Sequence, residues 1–249
     1  SIQLLYKAIE LNPDFAEAHC NLANIFREFG NLQEAESFHR RAIALNPDFA
    51  EVHNNLASLL LRKMILKEGW EHYEWRWAVK QRNSYIGKRL VTSKPEWQPK
   101  KRGKLLLWGE QGIGDKILFA SLIPELAEKV EQLIVQVDSR LIPLFQRSFD
   151  KKIIYLDEND FIGEDKYDFQ IAMGSVPKLL RKTKGSFEKN NQPYLKVNEI
   201  KSHLFRQQIR RLKFEKIIGI SWRSFSEFNK GRSLTLEEFI LGIISPSCC

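Results

Sequence analysis

Between residues 105 and 117 the chain reads LLLWGEQGIGDKI: an apolar run, glycines at 109, 112 and 114, and then an acid, Asp115. A glycine turn between a strand and a helix bares backbone amides at the helix mouth, and such mouths commonly hold phosphate. Two phosphate patterns can be tested against it. A dinucleotide fingerprint, GxGxxG, finds Gly112 and Gly114 but meets Ile117 at its third position, with Asp138 placed as a ribose partner. A GxxxxGK[ST] loop finds its spacing from Gly109 to Gly114, but Asp115 displaces the lysine to Lys116 and Ile117 replaces the hydroxyl residue. Both matches fail for one physical reason. A helix N-terminus carries roughly half a positive charge and unpaired amides, and Asp115 already supplies the anion that a phosphate would bring. The turn therefore presents Asp115, with Glu110, Gln111, Gly112 and Gly114 around it, to a neutral group such as a hydroxyl. Aspartate is also a good helix N-cap, and spacing alone leaves the two roles open.

Little else in the chain has the spacing for chemistry. Three cysteines, Cys20, Cys248 and Cys249, are too few for a disulfide framework, and no CxxC or HExxH spacing suggests a metal site. The DEND run at 157–160 reads either as an Asp-x-Asp metal site or, preferably, as an acidic surface loop. A formal charge of +8 and the run KKRGK at 100–104 could draw an anionic partner; without interleaved aromatics they read as a solvated linker, and nucleic acid is not expected. The apolar runs are far shorter than the ~20 residues of a membrane helix, and the first residues form no signal sequence. The expectation is a cytoplasmic protein without a membrane span.

The elements that carry these residues change character along the chain. NPDFAEAH begins at Asn12 and NPDFAEVH at Asn46, a period of 34 residues. That period and its pattern resemble tetratricopeptide repeats. In the repeat at 16–49, Leu22 and Ala23 sit on the first helix and Ala35 and Ala42 on the second, the small Ala23, Ala35 and Ala42 let the helices approach, Phe26 and Phe38 fill the space between helix pairs, and Pro47 closes the unit. Residues 1–15 have the pattern of the second helix of an earlier repeat, so upstream repeats are expected to be missing. The next repeat decays: Gly69 and Arg76 stand where small alanines are expected, and Trp70, Tyr73, Trp75 and Trp77 crowd its last helix. This reads as a terminal cap docking onto a following domain, in preference to a carbohydrate-stacking platform. His19 and His53, also 34 apart, are repeat positions, not metal ligands. Asn21 and Asn55 recur at one repeat position with Asn24 a turn away, and their amides could clamp an extended peptide.

Beyond Pro95 and Pro99 the pattern becomes alternating strands and helices, which predicts a Rossmann-like parallel sheet covered on both faces. Strands are expected at 104–108, 132–138, 152–156, 167–172 and 216–222, with helices near 116–130, 139–149, 175–183 and 199–212. The organisation read from this is repeats over 1–80, a linker over 81–102, a Rossmann-like domain over 103–214, and the start of a further domain over 215–249. The fold class is α + α/β. In such sheets ligands gather at the carboxyl ends of the strands, where GEQGIGD lies.

WGEQGIGDKILFASLIPELAEKV, with Pro124 inside its helix, resembles the first strand, turn and helix of glycosyltransferases of the heptosyltransferase type. The chain is still more similar to repeat-bearing proteins in which an EGWxxYEWRW stretch, here EGWEHYEWRW at 68–77, precedes EQGxGD. The repeats resemble those of the O-GlcNAc transferases, whose asparagine ladder binds peptide. The resemblance implies an inverting, metal-independent GT-B glycosyltransferase with a nucleotide sugar as co-substrate, no cofactor, and a protein or peptide on the repeat surface. It implies Asp115 as general base, with a pKa lowered by the helix N-terminus and proton transfer therefore late. Glu215 to Ile243 resembles the opening of the donor domain, where Ser221, Arg223, Lys230 and Arg232 could hold the diphosphate or form a solvated basic loop, and Thr235 with Glu238 make a capping box. A donor domain needs roughly another hundred residues. The chain is accordingly expected to be a fragment, inactive alone, whose last strand and helix pack poorly or drape over the first domain. The alternative is a non-catalytic binding scaffold; a dinucleotide oxidoreductase comes third.

Overall fold

The computed structural model describes residues 2–79, 89–190, 192–210 and 235. The chain divides into two compact units, Ser1–Val197 and Asn198–Cys249. The expected strand at 216–222, Glu238 of the capping box, and Ser221, Arg223, Lys230 and Arg232 lie outside the described residues.

The first unit opens with helices α1 (Ile2–Leu11), α2 (Ala16–Glu28), α3 (Leu32–Leu45), α4 (Ala50–Arg62) and α5 (Leu66–Tyr73). The two NPDF segments build the same turn twice. Asn12 and Asn46 each accept a hydrogen bond on Oδ1 from the amide two residues on, at 3.2 and 3.3 Å. One turn into the next helix, His19 and His53 place Nε2 against the Pro13 and Pro47 carbonyls at 3.1 and 2.8 Å. The shared histidine is thus a turn pin, as its 34-residue spacing suggests. Ala23, Ala35 and Ala42 are fully buried and let the helices approach. Phe26 and Phe38 stack at 5.5 Å between centroids, and Phe26 packs on Ala35, Leu56, Leu59 and Leu60.

After α5 a 3-10 segment, Glu74–Ala78, carries the aromatic cap. Trp75 stacks on the His53 ring at 4.0 Å, and His53 and His72 meet through their Nδ1 atoms at 2.7 Å. Burial, then the neighbouring His53, holds the His72 imidazole below the usual range. Trp70 and Tyr73 pack on the core of the following sheet domain, and Trp77 packs on the sheet's other face at Trp108, 5.6 Å between ring centroids. These aromatics are packing residues.

The sheet contains parallel strands β1 (Lys104–Trp108), β2 (Gln132–Val137), β3 (Ile154–Asp157) and β4 (Phe169–Ala172) in the order β3-β2-β1-β4. β1 and β2 read as continuous apolar runs because both faces are covered. Leu105, Leu107, Leu133, Val135 and Ile171 face helices α6 (Ile113–Ala120), α7 (Ile123–Lys129), α8 (Ile142–Ser148) and α9 (Val176–Leu180). Leu106, Trp108, Ile134 and Ala172 face the other way, toward Tyr167 and Trp77. The free edge of β4 is covered by the segment before the sheet: the Trp97 amide donates to the Gln170 carbonyl at 2.9 Å, and the Trp97 side chain is fully buried. Lys100, Lys101 and Arg102 are exposed.

Two expectations shift. The single helix near 116–130 is two helices, because the chain turns at Ser121 and Leu122 and Pro124, which has no amide hydrogen, sits in the first turn of α7. β3 begins at Ile154, later than expected, because Asp150 draws the Lys152 amide into a turn at 2.8 Å. In the second unit, α10 (Glu199–Arg210) leaves Ile200, Leu204 and Phe205 exposed. Among the described residues no helix is long and apolar enough to cross a membrane.

One residue in the repeat core is costly. His39 on α3 is fully buried, and neither ring nitrogen has a protein partner. Burial, then the Arg27 charge, lowers its pKa to about 4. The folded state therefore binds the neutral ring, and the unfolded chain takes the extra proton. Stability from this group is fully present above about pH 6.5 and falls as the pH drops toward 4. Replacement His39→Leu is expected to flatten urea-unfolding free energies between pH 7 and pH 4, removing a loss of up to about 3 kcal/mol.

Candidate functional site

The turn after β1 is built from contacts of two kinds. On its inner side Glu110 is only 3% exposed and is held by a cation from the repeat cap. Arg76, itself 2% exposed, donates from Nη2 to Glu110 Oε1 at 3.1 Å and to Ser175 Oγ at 2.7 Å. Its Nη1 reaches Glu74 Oε1 at 2.6 Å, and its guanidinium lies over the Tyr73 and Trp77 rings at 4.7 and 4.5 Å. The Gly174 amide donates to the same Glu110 oxygen at 3.0 Å, and Gln111 donates through Nε2 to the Tyr73 hydroxyl at 2.5 Å. Burial pushes the Glu110 carboxyl up, opposed by Arg76 and by the Glu110 and Gly174 backbone amides. Sequence reading placed Arg76 where a repeat alanine belongs. The structure explains the exception: the position faces a buried acid, not a helix.

This arrangement occupies a particular place. β4 returns past β1 to the opposite edge from β2 and β3, so the connections diverge between the carboxyl ends of β1 and β4. Open α/β sheets receive ligands at that divergence. Here Arg76 and Tyr73 fill it, between Glu110 and Gln111 after β1 and Gly174 and Ser175 after β4. Asp138, the ribose partner of a dinucleotide pattern, is engaged elsewhere. It accepts from Arg140 at 2.9 and 2.7 Å, which lowers its pKa to about 2.

On the outer side the turn is open. Gly112 is the N-cap of α6, in extended conformation, and Asp115 is the third helical residue, so Asp115 is not the N-cap. Its carboxylate reaches back toward the Gly112 amide, as the acid of a capping box does. The side chain is exposed at the mouth. Partial burial raises its pKa above the usual aspartate value and outweighs the Gly112 and Asp115 amides, which pull it down. That corrects the expected lowering and makes Asp115 a stronger base than the helix terminus alone would allow. Gly112 and Gly114 are exposed, and a Cβ at Gly114 would meet nothing within 4 Å. Neither has positive φ, so the backbone does not demand glycine there; its absence of a side chain leaves the mouth bare.

Lys116, the lysine displaced by one place, is buried beneath the turn. Its ammonium pairs with Glu158 of the DEND run, and its stem crosses Gly109, where a Cβ would lie 2.7 Å from Lys116 Cε. The rest of that run closes on itself, with Asn159 bonded to Asp157 Oδ1 at 2.8 Å. In the repeats, Asn55 Nδ2 donates to Asn24 Oδ1 at 3.2 Å across neighbouring units, whereas Asn21 stands exposed. The structure thus joins Asn24 and Asn55, and places Asp115, Gly112 and Gly114 at an open mouth with Glu110 and Gln111 turned to the cap.

Residues 16–49 match the tetratricopeptide repeat family model. Protein FlbA of Caulobacter vibrioides is 27% identical over 261 aligned residues, spanning 97% of this chain and 43% of that protein. The chain therefore covers less than half the length of this relative. Among solved structures, YrrB, a tetratricopeptide-repeat protein with an unusual peptide-binding site, aligns at 24% identity over 31% of this chain and 40% of its own, with a TM-score of 0.30. A mutant O-GlcNAc transferase of Thermobaculum terrenum aligns at 18% identity over 55% of this chain and 33% of its own, with a TM-score of 0.31.

The two sides of the turn differ in their tolerance of a methyl group. A Cβ at Gly174 would overlap the Glu110 carboxylate, which Arg76 and the Gly174 amide hold in place. Gly174→Ala is expected to lower stability by about 1–3 kcal/mol. Gly114→Ala, pointing into open space within a helix, should be neutral or stabilising by up to about 1 kcal/mol. Urea-unfolding midpoints at constant m-value measure both.

Proposed function

We propose that this chain forms the acceptor side of a repeat-bearing, inverting, metal-independent glycosyltransferase of GT-B type, with Asp115 as general base. The observation that carries the reading is the exposed Asp115 carboxylate at a bare helix mouth, at the carboxyl end of β1, with its pKa raised. The segment WGEQGIGDKILFASLIPELAEKV, similar to the first strand, turn and helix of heptosyltransferase-type glycosyltransferases, supports it, and the paired EGWEHYEWRW and EQGIGD segments are similar to those of repeat-bearing proteins. A neutral hydroxyl suits this mouth, because a second anion would meet the Asp115 charge.

The chemistry balances without a covalent enzyme intermediate. The acceptor oxygen attacks the anomeric carbon of a nucleotide sugar, a carbon–oxygen bond forms, and the bond to the diphosphate breaks. Asp115 takes the hydroxyl proton as that oxygen becomes acidic and later returns it to solvent. A raised pKa eases this transfer and is bought with a lower ionised fraction in acid. Glu110 and Gln111 hold the turn from behind, and the diphosphate would fall to Ser221, Arg223, Lys230 and Arg232 on the donor side. A protein or peptide along the Asn24 and Asn55 rung would deliver the acceptor; Asn21 would extend the rung.

A second reading, a non-catalytic scaffold, is favoured by one observation: the cap already fills the divergence between β1 and β4. Sugar transfer by the protein from the complete reading frame, assayed with a nucleotide-sugar panel, separates the two. Asp115→Asn should lower kcat at least about 100-fold and abolish an acid limb whose apparent pKa lies above the usual aspartate value. Peptide binding by calorimetry with no transfer would displace the enzyme reading, and a variant as active as wild type would overturn the assignment of Asp115 as base.

A further inference from the structure

The strongest unassigned feature is the charge that the repeat cap buries inside the sheet domain. Arg76 is separated from Glu110 and Ser175 by 34 and 99 residues, yet its Nη2 contacts both. Ser175 also donates to Glu74 Oε2 at 3.1 Å, and Trp70 Nε1 donates to the Arg181 carbonyl at 2.9 Å. The cap therefore touches both loops that border the divergence, after β1 and after β4. Glu110 follows the last residues of β1 and precedes Asp115 by five positions, with Gln111 between them tied to Tyr73.

We propose that Arg76 is a positioning residue for the 109–115 turn, acting through Glu110 and Ser175, so that the repeat cap sets where Asp115 stands. The proposal extends the glycosyltransferase reading, but the positioning itself can be measured without any turnover. A guanidinium suits the task because its fork spans two acceptors on different loops while its faces lie against Tyr73 and Trp77.

The groups facing Glu110 define how the device responds to pH. They are Arg76, Tyr73 and Glu74 from the cap, Gln111 and the more distant Asp115 on the turn, and the Gly174 amide and Ser175 after β4. With Arg76 present the carboxylate has its counter-ion. Without it, a charged carboxylate in a dry site is unpaired and takes up a proton more readily.

Hydrogen–deuterium exchange on the whole chain tests this, with rates corrected for the intrinsic pH dependence of exchange. In Arg76→Met, amides of residues 110–116 should exchange about tenfold faster than wild type at pH 8 and regain protection toward pH 5 as Glu110 is neutralised, while α2–α4 keep their rates. Wild type should show no such pH-dependent change. Turn amides as protected as wild type at both pH values, or a uniform rise in α2–α4 and turn alike, would overturn the proposal. Should Arg76→Met not fold, Arg76→Lys carries the test. It keeps the charge and loses the fork, so turn exchange should be about threefold faster with a flat pH profile, and wild-type rates in that variant would overturn the assignment. If exchange responds as expected while Asp115→Asn leaves transfer intact, positioning stands and the base assignment falls.

Discussion

The rest of the structure depends on one buried ion pair, between Arg76 of the repeat cap and Glu110 at the end of the central strand. Taking two charges out of water is costly, and such a pair is tolerable only when hydrogen bonds satisfy what remains. Here they largely do. Glu74, Ser175 and the Tyr73 carbonyl take up Nη hydrogens of the guanidinium, leaving Nε without a protein partner, and the Gly174 amide donates to the same Glu110 oxygen as Arg76. The aromatic residues around the pair exclude water and give the cap its apolar contact with the sheet core. A plain hydrophobic joint of the same volume could hold two domains together. What the charges add is geometry: the cap meets the sheet at one register and fixes the loops after β1 and β4.

Arg76 and Tyr73 stand at the divergence between β1 and β4. The open surface is the outer side of the turn, where glycines leave the helix mouth bare and Asp115 is exposed. The three glycines of the motif therefore answer to different demands. Gly109 makes room for the buried stem of Lys116, while Gly112 and Gly114 keep the approach to Asp115 clear. The displaced lysine serves the interior through Glu158.

Much of this was legible in the residues. The 34-residue period gave the helix pairs, and the NPDF turns gave their boundaries. β1 was found at its true limits because an apolar run ends in a glycine turn. Pro124 was visible too, but whether a proline bends a helix or starts a new one depends on the turn before it, and Ser121 and Leu122 carry no strong breaking signal. The pair at the centre was half legible. A charged Arg76 in a small-residue position was anomalous, whereas Glu110 read only as part of the turn presented to a ligand. Their contact is a matter of tertiary approach, and no local preference encodes it. The direction of the Asp115 pKa shift is not legible locally: the helix terminus is a local feature, whereas the partial desolvation that outweighs it depends on the folded mouth.

Repeat cap and sheet domain are joined by a specific electrostatic bond and not by apolar contact alone. A double-mutant cycle on Arg76→Met and Glu110→Gln, read from urea unfolding at pH 7, measures that bond directly. Each single change leaves one charge buried without its counter-ion, and the double change removes both charges, so a coupling of at least about 2 kcal/mol is expected. Single-variant losses that simply add, with coupling below about 0.5 kcal/mol, would contradict it.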